Sequence, residues 1–524
     1  MRARLAVIAI VIGLLAGASA GPAAAQGFVP ISGAGSSWSF NALDQWRRNV
    51  ASLYGITVQY ADTGSSDGRN QFKNGTVDFA VSEIEYGLTD GGVVDQPPSS
   101  RGYAYMPIVA GGTAFMYNLH VGRNRVTNLR LSGEVLAKIF TLKITSWADP
   151  AIKKDNPGLT LPDRKIVPVV RSDGSGTTAQ FTRWMADQYG SVWDSFCGRP
   201  KCGFTSNYPI KPGLQAKARS TGVAGYVAQD SSEGAITYVE YSYAKNAAFP
   251  VTKVLNRAGY YIEPKATSVA VALLKAEINP DDLTQRLQNV YRDTDPRSYP
   301  LSSYSYMILP TDNRQNFSDA KGRTLSEFAY YFLCEGQRQA DALGYSPLPL
   351  NLVKAGVRQV ARVPGTTNKL NENDLQKCNN PTFSPDGTNT LANTAPQPPE
   401  CDKAGATQCA TGTGGAQAAT PVGNGGGDTG NGGTTPGGTP GTAGEVAGGT
   451  EGAAPASAEV EIDPDTGLPV EESGGTAVNA YAVPVSVDLP QDRTLFAVLA
   501  MALLTSLVIG PPLLARALRK RRKS

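Results

Sequence analysis

Residues 166–185 read IVPVVRSDGSGTTAQFTRWM. The first five residues form the short β-rich run of a buried strand, and Phe181, Trp184 and Met185 follow with helical spacing. Glycine and hydroxyl side chains fill residues 171–178 between them. The stretch therefore predicts a strand, a tight loop and a helix in succession, which is the repeating unit of α/β sheets.

Two further loops have the same composition and also precede a helical pattern. Residues 33–38 (GAGSSW) enter a helix that begins near Phe40, and residues 63–68 (TGSSDG) enter a helix around Gln71 and Phe72. Other strand-like runs lie at residues 56–60, 77–81 and 235–239. The alternation of strands and helices predicts an α/β fold, and the length of the folded part, residues 26–390, favours two lobes over one core.

The three loops share one chemical property. Small residues let backbone N–H groups approach a ligand, hydroxyls add donors, and a helix N-terminus carries unpaired N–H groups with partial positive charge. Arg171 opens one loop and can bind an oxyanion through two parallel N–H bonds, with Asp173 placed to orient it. The loops thus indicate an oxyanion site, although any one of them alone could simply be a cap or a turn.

These motifs resemble those of the phosphate-binding proteins of bacterial ABC importers. The resemblance rests on residues 33–38, 171–178, 77–83 (VDFAVSE), 234–244 (GAITYVEYSYA) and 343–349 (LGYSPLP). It implies a two-lobed periplasmic-binding-protein-like fold (type II) with a hinge and an interlobe ligand cleft. We expect lobe 1 at about residues 26–115 and 255–390 and lobe 2 at about residues 116–254, with inorganic phosphate as ligand, permease subunits as partners, no cofactor and no catalysis.

The resemblance also implies a set of ligand residues. Glu83 stands where the family usually has aspartate, and Trp38 where it more often has phenylalanine. A carboxylate at position 83 can accept the proton that phosphate carries, whereas sulfate offers none and would be repelled. The implied phosphate-binding residues, with Asp173 behind the arginine, are Ser37, Trp38 (through its backbone N–H), Ser65, Glu83, Arg171, Ser175, Gly176 and Thr177.

Both ends of the chain predict an exported, anchored protein. Arg2 and Arg4, an apolar run and an Ala-rich stretch ending at Ala25 are typical of a secretory signal peptide at residues 1–25. Residues 494–515 are apolar and long enough for one transmembrane helix, and the basic residues 516–524 after them should stay cytoplasmic. Between residues 391 and 493 the chain is rich in Gly, Thr and Pro and acidic, which predicts a disordered linker. The binding domain is therefore expected outside the cytoplasm, held at the cell membrane by a single span.

The six cysteines all lie in the part expected to be exported, which favours disulfides. The sequence does not determine their pairing. The shortest loops would give Cys197–Cys202, Cys334–Cys378 and Cys401–Cys409. A zinc site is the poorer interpretation, because the spacings are not C-x-x-C and His120 is the only histidine.

Two other functions compete with phosphate capture. Residues 64–68 fit the G-x-S-x-G pattern of serine hydrolases, but His120 is the only histidine that could serve as the base. A surface sensor or adhesin on the same fold would suit the predicted anchor equally well. A formal net charge of +3 on 524 residues gives no sign of nucleic-acid binding.

Overall fold

One strand of 15 residues, Tyr103–Tyr117, runs through the centre of the fold. The computed structural model describes residues 27–367, 370–378, 380–384 and 387–423. The predicted signal peptide, the transmembrane segment 494–515, the basic tail and the linker beyond residue 423 lie outside the described residues. No helix within the described ranges is long and apolar enough to cross a bilayer.

Strands and helices alternate along much of the chain. The strands are β1 (Ile31–Gly35), β2 (Val58–Ala61), β3 (Phe79–Ser82), β4 (Thr89–Asp90), β5 (Val93–Val94), β6 (Tyr103–Tyr117), β7 (His120–Val121), β8 (Asn124–Arg125), β9 (Arg130–Leu131), β10 (Val167–Arg171), β11 (Gln215–Lys217), β12 (Ala235–Glu240), β13 (Lys253–Leu255), β14 (Tyr261–Ile262), β15 (Glu277–Ile278), β16 (Gln285–Arg286) and β17 (Ser302–Pro310). The α-helices are α1 (Phe40–Tyr54), α2 (Ser65–Lys73), α3 (Gly133–Phe140), α4 (Pro150–Asp155), α5 (Gly176–Gln188), α6 (Gly190–Cys197), α7 (Arg219–Val227), α8 (Tyr241–Asn246), α9 (Ala266–Ala272), α10 (Gln288–Tyr291), α11 (Asp319–Leu333), α12 (Leu350–Val360) and α13 (Thr390–Asn393).

The main sheet has eight strands in the order β11-β10-β12-β6-β17-β3-β1-β2. Residues 103–112 of β6 pair antiparallel with β17, and residues 113–117 pair antiparallel with β12. On one side of β6, β1 pairs in parallel with β2 and β3, and on the other side β10 pairs in parallel with β11 and β12. The predicted α/β fold is therefore confirmed, with β6 shared by two groups of parallel strands. The limits assigned to the two lobes stay a prediction.

Each element follows from its local sequence. The predicted strands at residues 77–81, 166–170 and 235–239 lie within two residues of β3, β10 and β12. In α1 the side chains of Leu43, Trp46 and Val50 are fully buried, as their helical spacing requires. Trp46 packs edge-on against Phe332 with ring centroids 4.5 Å apart, which joins α1 to α11.

The predicted start of the disordered linker at residue 391 is wrong. Residues 387–423, which we call the C-terminal strap, lie against the folded body, and Thr413 and Thr420 are buried. The Arg130 guanidinium donates to the carbonyl oxygens of Cys401 and Thr407 at 2.9 Å each. Composition misleads here because hydrogen bonds and a disulfide, rather than large apolar side chains, hold this glycine- and threonine-rich segment in place.

All three disulfides suggested by the shortest loops are present. They join Cys197 to Cys202, Cys334 to Cys378 and Cys401 to Cys409. The last of them closes a short loop within the C-terminal strap.

Candidate functional site

The loops that follow β1, β2, β3 and β10 converge on one buried region. Parallel strands bring their carboxyl ends to the same edge of a sheet, which is where α/β proteins bind ligands. The Ser66 N–H donates to the Gly174 carbonyl oxygen at 3.1 Å, so the loop after β2 meets the loop after β10. A Cβ atom on Gly64 would lie 2.7 Å from Asp173 Oδ2, which explains why glycine is needed at this contact.

Arg171 ends β10 and is almost completely buried. Its Nε donates to Asp173 Oδ1 at 2.7 Å, and a second guanidinium N–H bonds to the other carboxylate oxygen, so the two side chains make the contact expected of them. Burial alone would raise the pKa of Asp173, but the hydrogen bonds and the charge of Arg171 outweigh burial and hold this pKa below its usual value. The third nitrogen, Nη1, lies 3.3 Å from Ser220 Oγ.

Buried hydroxyl groups lie near this arginine and in the first turn of the helix that follows it. Ser37 Oγ is 2.9 Å from Ser220 Oγ and accepts the Ser220 N–H at 3.0 Å. Ser175 caps α5 by accepting the Thr178 N–H at 3.2 Å. The buried Thr177 hydroxyl has no hydrogen-bond partner within the part of the chain that the structure describes. Such a group in this position is free to bind an oxyanion.

Glu83 is fully buried directly after β3. Its Oε1 accepts hydrogen bonds from Ser36 Oγ at 2.5 Å and Ser305 Oγ at 2.8 Å, and its Oε2 accepts from Ser65 Oγ at 2.7 Å. A Cβ atom on Gly176 would lie only 1.9 Å from Oε2, so this carboxylate oxygen rests against the first turn of α5. The carboxylate of Glu83 and the N-terminus of α5, both predicted to bind the ligand, therefore lie in contact.

Two predicted backbone donors have partners within the protein. The Trp38 N–H donates to Ser36 Oγ at 3.0 Å, and the Gly176 N–H donates to Ser65 Oγ at 3.1 Å. The Trp38 ring also fits closely against Gly111, where a Cβ atom would lie 2.7 Å from the indole. The eight predicted phosphate-binding residues are buried, Asp173 is partly exposed, and the roles of all nine at a ligand site stay predictions.

Sequence reasoning missed Ser36, Ser220 and Ser305. Ser36 lies inside the quoted loop 33–38, so the motif itself could have pointed to it. Ser220 is the second residue of α7, after β11, and could have been sought as one more hydroxyl at a helix start. Ser305 lies within β17, where no local pattern distinguishes it from the neighbouring serines.

The serine-hydrolase alternative finds no support in these contacts. Ser66, the central serine of the G-x-S-x-G pattern, bonds to Ser206 Oγ at 2.9 Å. The Nδ1 atom of His120 lies 2.6 Å from Glu233 Oε2. Neither side chain is in a serine–histidine pair, so the pattern is a helix start rather than a nucleophile elbow. The described residues also hold no group of three or more side chains suited to a metal ion.

Comparison with known proteins identifies the family. Residues 16–335 match the model of the PBP superfamily domain. The chain is 34% identical over 327 residues to the phosphate-binding protein PstS of Xylella fastidiosa strain Temecula1, covering 62% of this chain and 83% of that protein. It is 31% identical over 325 residues to PstS of Pasteurella multocida, covering 62% and 88% respectively. Among solved structures, it is similar to a high-affinity periplasmic phosphate-binding protein with bound phosphate, at 19% identity and a TM-score of 0.47, over 66% of this chain and all of that one.

Proposed function

Because the chain belongs to the PBP superfamily and, within it, to the family of phosphate-binding proteins, we propose that it captures inorganic phosphate outside the cytoplasm and delivers it to an ABC importer. The proposed role is binding without chemistry. The ligand would be enclosed between the loops after β1, β2 and β3 and the loop after β10.

One observation carries the proposal: a buried arginine stands five residues before α5, a buried carboxylate contacts the first turn of that helix, and a buried hydroxyl without a partner among the described residues lies in the same turn. Arg171 supplies positive charge, and the Thr177 and Ser37 hydroxyls can supply hydrogen bonds to oxygen atoms of the anion. Glu83 supplies an acceptor for a proton on the ligand. Phosphate near neutral pH both accepts and donates hydrogen bonds, so it matches this combination better than sulfate does.

Anchoring of the protein at the membrane is also part of the proposal. It is supported by the apolar residues 494–515 and by the basic residues that follow them. The anchor would keep the binding domain near a permease in the same membrane.

Isothermal titration of the exported chain with phosphate, and separately with sulfate, tests the proposal. We expect one phosphate per molecule and no measurable response to sulfate at neutral pH. Replacement of Arg171 by Ala should weaken phosphate binding by about a hundredfold or more, because it removes a buried charge that binds the anion.

Arg164→Ala is the matched control, because this arginine lies in the same part of the chain and its side chain is 48% exposed. It should leave the phosphate affinity unchanged. Wild-type affinity in a folded Arg171→Ala variant would contradict the assigned site, and a folded, ligand-free wild-type protein that does not bind phosphate would contradict the function.

A further inference from the structure

The Glu83 side chain is held by three serines from three separate segments. Ser36 comes from the loop after β1, Ser65 from the first residue of α2, and Ser305 from the middle of β17. All three serines are essentially inaccessible to solvent. This arrangement matters because glutamate is one methylene longer than aspartate and loses more rotamer freedom when it is fixed in one place.

The direction of two of these hydrogen bonds is set by their surroundings. Ser36 Oγ already accepts the N–H groups of Trp38 at 3.0 Å and Ser39 at 3.3 Å, which leaves its hydrogen for Glu83. Ser65 Oγ accepts the Gly176 N–H, so its hydrogen is also directed to Glu83. The carboxylate is therefore the acceptor in both bonds.

The two carboxylate oxygens differ in how many acceptor positions remain. An ionised carboxylate oxygen offers about two lone-pair positions. Ser36 and Ser305 occupy both positions of Oε1, whereas Ser65 occupies one position of Oε2. The Ser305 hydroxyl also lies 3.1 Å from Ser39 Oγ, and because its contact with the carboxylate is shorter, at 2.8 Å, we assign its hydrogen to Glu83. The remaining position belongs to the oxygen that rests against Gly176 at the start of α5.

We propose that Ser36 and Ser305 are positioning residues that set the anion selectivity of this site. By filling Oε1 they fix the Glu83 carboxylate so that Oε2 presents one acceptor to a protonated oxyanion. A tetrahedral anion that carries a proton, such as monohydrogen phosphate or arsenate, satisfies that acceptor, whereas sulfate leaves two oxygens in repulsion. This inference rests on the proposed function, since it concerns the same site.

Ser305→Ala is the decisive variant. It should weaken phosphate binding about tenfold, which corresponds to the loss of one hydrogen bond to a charged group. Sulfate gives no measurable response in the wild type, so reduced discrimination should appear as weaker phosphate binding while the sulfate response does not decrease. Ser305→Thr keeps the hydroxyl and should restore most of the phosphate affinity. Ser36→Ala should act in the same direction, but it also removes the acceptor for two loop N–H groups.

A double-mutant cycle with Glu83→Gln separates positioning from a general effect on folding. If Ser305 acts through the carboxylate, Ser305→Ala should change phosphate affinity less than twofold in the Glu83→Gln background, within the additivity error of about 0.3–0.5 kcal/mol. Ser303→Ala is the matched control, because Ser303 is a buried serine of the same strand whose hydroxyl has no partner in the described part of the chain. It should leave phosphate affinity unchanged.

Two results would overturn the inference: wild-type phosphate affinity in Ser305→Ala, or the same tenfold loss from Ser305→Ala in the wild-type and the Glu83→Gln backgrounds. An equal loss in Ser303→Ala would also overturn it, because the effect would then belong to the strand as a whole. Failure of the wild-type protein to bind phosphate is a different outcome, which contradicts the proposed function itself.

Discussion

Glu240 is a buried carboxyl group at the end of β12, near the point where this strand pairs with β6. Burial raises its pKa well above the usual value, and hydrogen bonds from Ser242 oppose this only in part. Its Oε2 accepts the Ser242 N–H at 2.8 Å, while Oε1 has no partner among the described residues. The folded protein therefore favours the protonated form of this side chain.

This pKa shift predicts the pH dependence of stability. A raised folded-state pKa gives stability that is complete below the unfolded pKa and is lost as the pH rises towards the folded pKa. Gln is neutral at every pH, so Glu240→Gln should become increasingly more stable than the wild type as the pH rises from the usual pKa of 4.5 towards neutral pH. Melting temperatures of both proteins across this range would test the prediction.

Glu277→Gln provides a control, because the Glu277 side chain is exposed and, among the residues that the structure describes, accepts a hydrogen bond only from Asn289. Its melting temperature should follow that of the wild type at every pH. Parallel curves for Glu240→Gln and the wild type would show that ionisation of Glu240 does not limit stability.

For single residues, the sequence predicts those whose role depends on their neighbours in the chain. The serines and glycines of the loops 33–38, 63–68 and 171–178 could be identified because a turn followed by a helix start is encoded by neighbouring residues. Ser305 could not be identified, since its partner Glu83 lies 222 positions away in the sequence. Only the pairing of β17 with β3 brings the two side chains together.

At the scale of elements, the hairpin formed by β4 and β5 connects the two groups of parallel strands. Its turn contains Gly91 and Gly92, both with positive φ, as a two-residue hairpin turn requires. The Asp90 carboxylate accepts the Ser206 N–H at 2.7 Å, and the Gly91 N–H donates to the Phe204 carbonyl oxygen at 3.1 Å. Ser206 in turn accepts the Ser175 N–H through its carbonyl oxygen at 2.9 Å. The hairpin is thus linked through Ser206 to the loop after β10, residues 171–178.

The Cys197–Cys202 disulfide lies beside this contact. It closes the loop that carries Arg199, whose Nη1 donates to the Gly91 carbonyl oxygen at 3.0 Å. No local pattern in the sequence reveals this contact, because the hairpin strands have two residues each and their partners lie more than a hundred residues later.

Removal of this contact should speed up ligand release. Asp90→Ala deletes two charge-assisted hydrogen bonds to Ser206, from its backbone N–H and from its hydroxyl, and one such bond is worth about 1.5–3 kcal/mol. The phosphate dissociation rate should therefore rise about tenfold or more, with a smaller change in the association rate. Stopped-flow displacement of bound phosphate would measure both rates.

Thr89→Ala serves as the comparison, because Thr89 is an exposed residue of the same hairpin. It should release phosphate at the wild-type rate. Equal dissociation rates in Asp90→Ala and the wild type would mean that the contact of the hairpin with residues 204–206 does not limit ligand release.

At the scale of the whole molecule, the C-terminal strap spans regions assigned to different lobes. Its helix α13 packs against α9, and Arg297 donates to the carbonyl oxygens of Ala392 and Ala395 at 3.2 and 3.3 Å. Beyond residue 400 the strap contacts residues 125–130, 156–158 and 249–253, and it also bonds to Gly259 and Glu263. Three prolines lie in the short bridge between these two regions, at positions 396, 398 and 399. The path of the strap could not be predicted from composition, because specific hydrogen bonds rather than buried apolar side chains stabilise it.

The Cys401–Cys409 disulfide should stabilise the strap. Replacing both cysteines by serine frees an eight-residue loop, and the chain-entropy model then gives a loss of about 2–3 kcal/mol of unfolding free energy. Denaturant titration would measure the loss, and hydrogen exchange should show faster exchange at residues 402–420.

The corresponding Cys197→Ser, Cys202→Ser variant affects a different part of the fold. Exchange within the strap should stay at the wild-type rate in that variant. Slow exchange at residues 402–420 in the protein that lacks Cys401 and Cys409 would show that hydrogen bonds alone keep the strap in place.

The same disulfide also determines how the protein responds to mechanical force. A pull applied at Gly423 first separates its N–H from the Gly158 carbonyl oxygen and then peels away residues 410–422. At Cys409 the tension crosses the sulfur bridge to Cys401, so residues 402–408 and their contacts with Arg130 and Lys253 carry no load. The peeled segment, residues 410–423, gives about 50 Å of extension. A brief pulling force would thus extend residues 410–423 before it acted on the rest of the folded body.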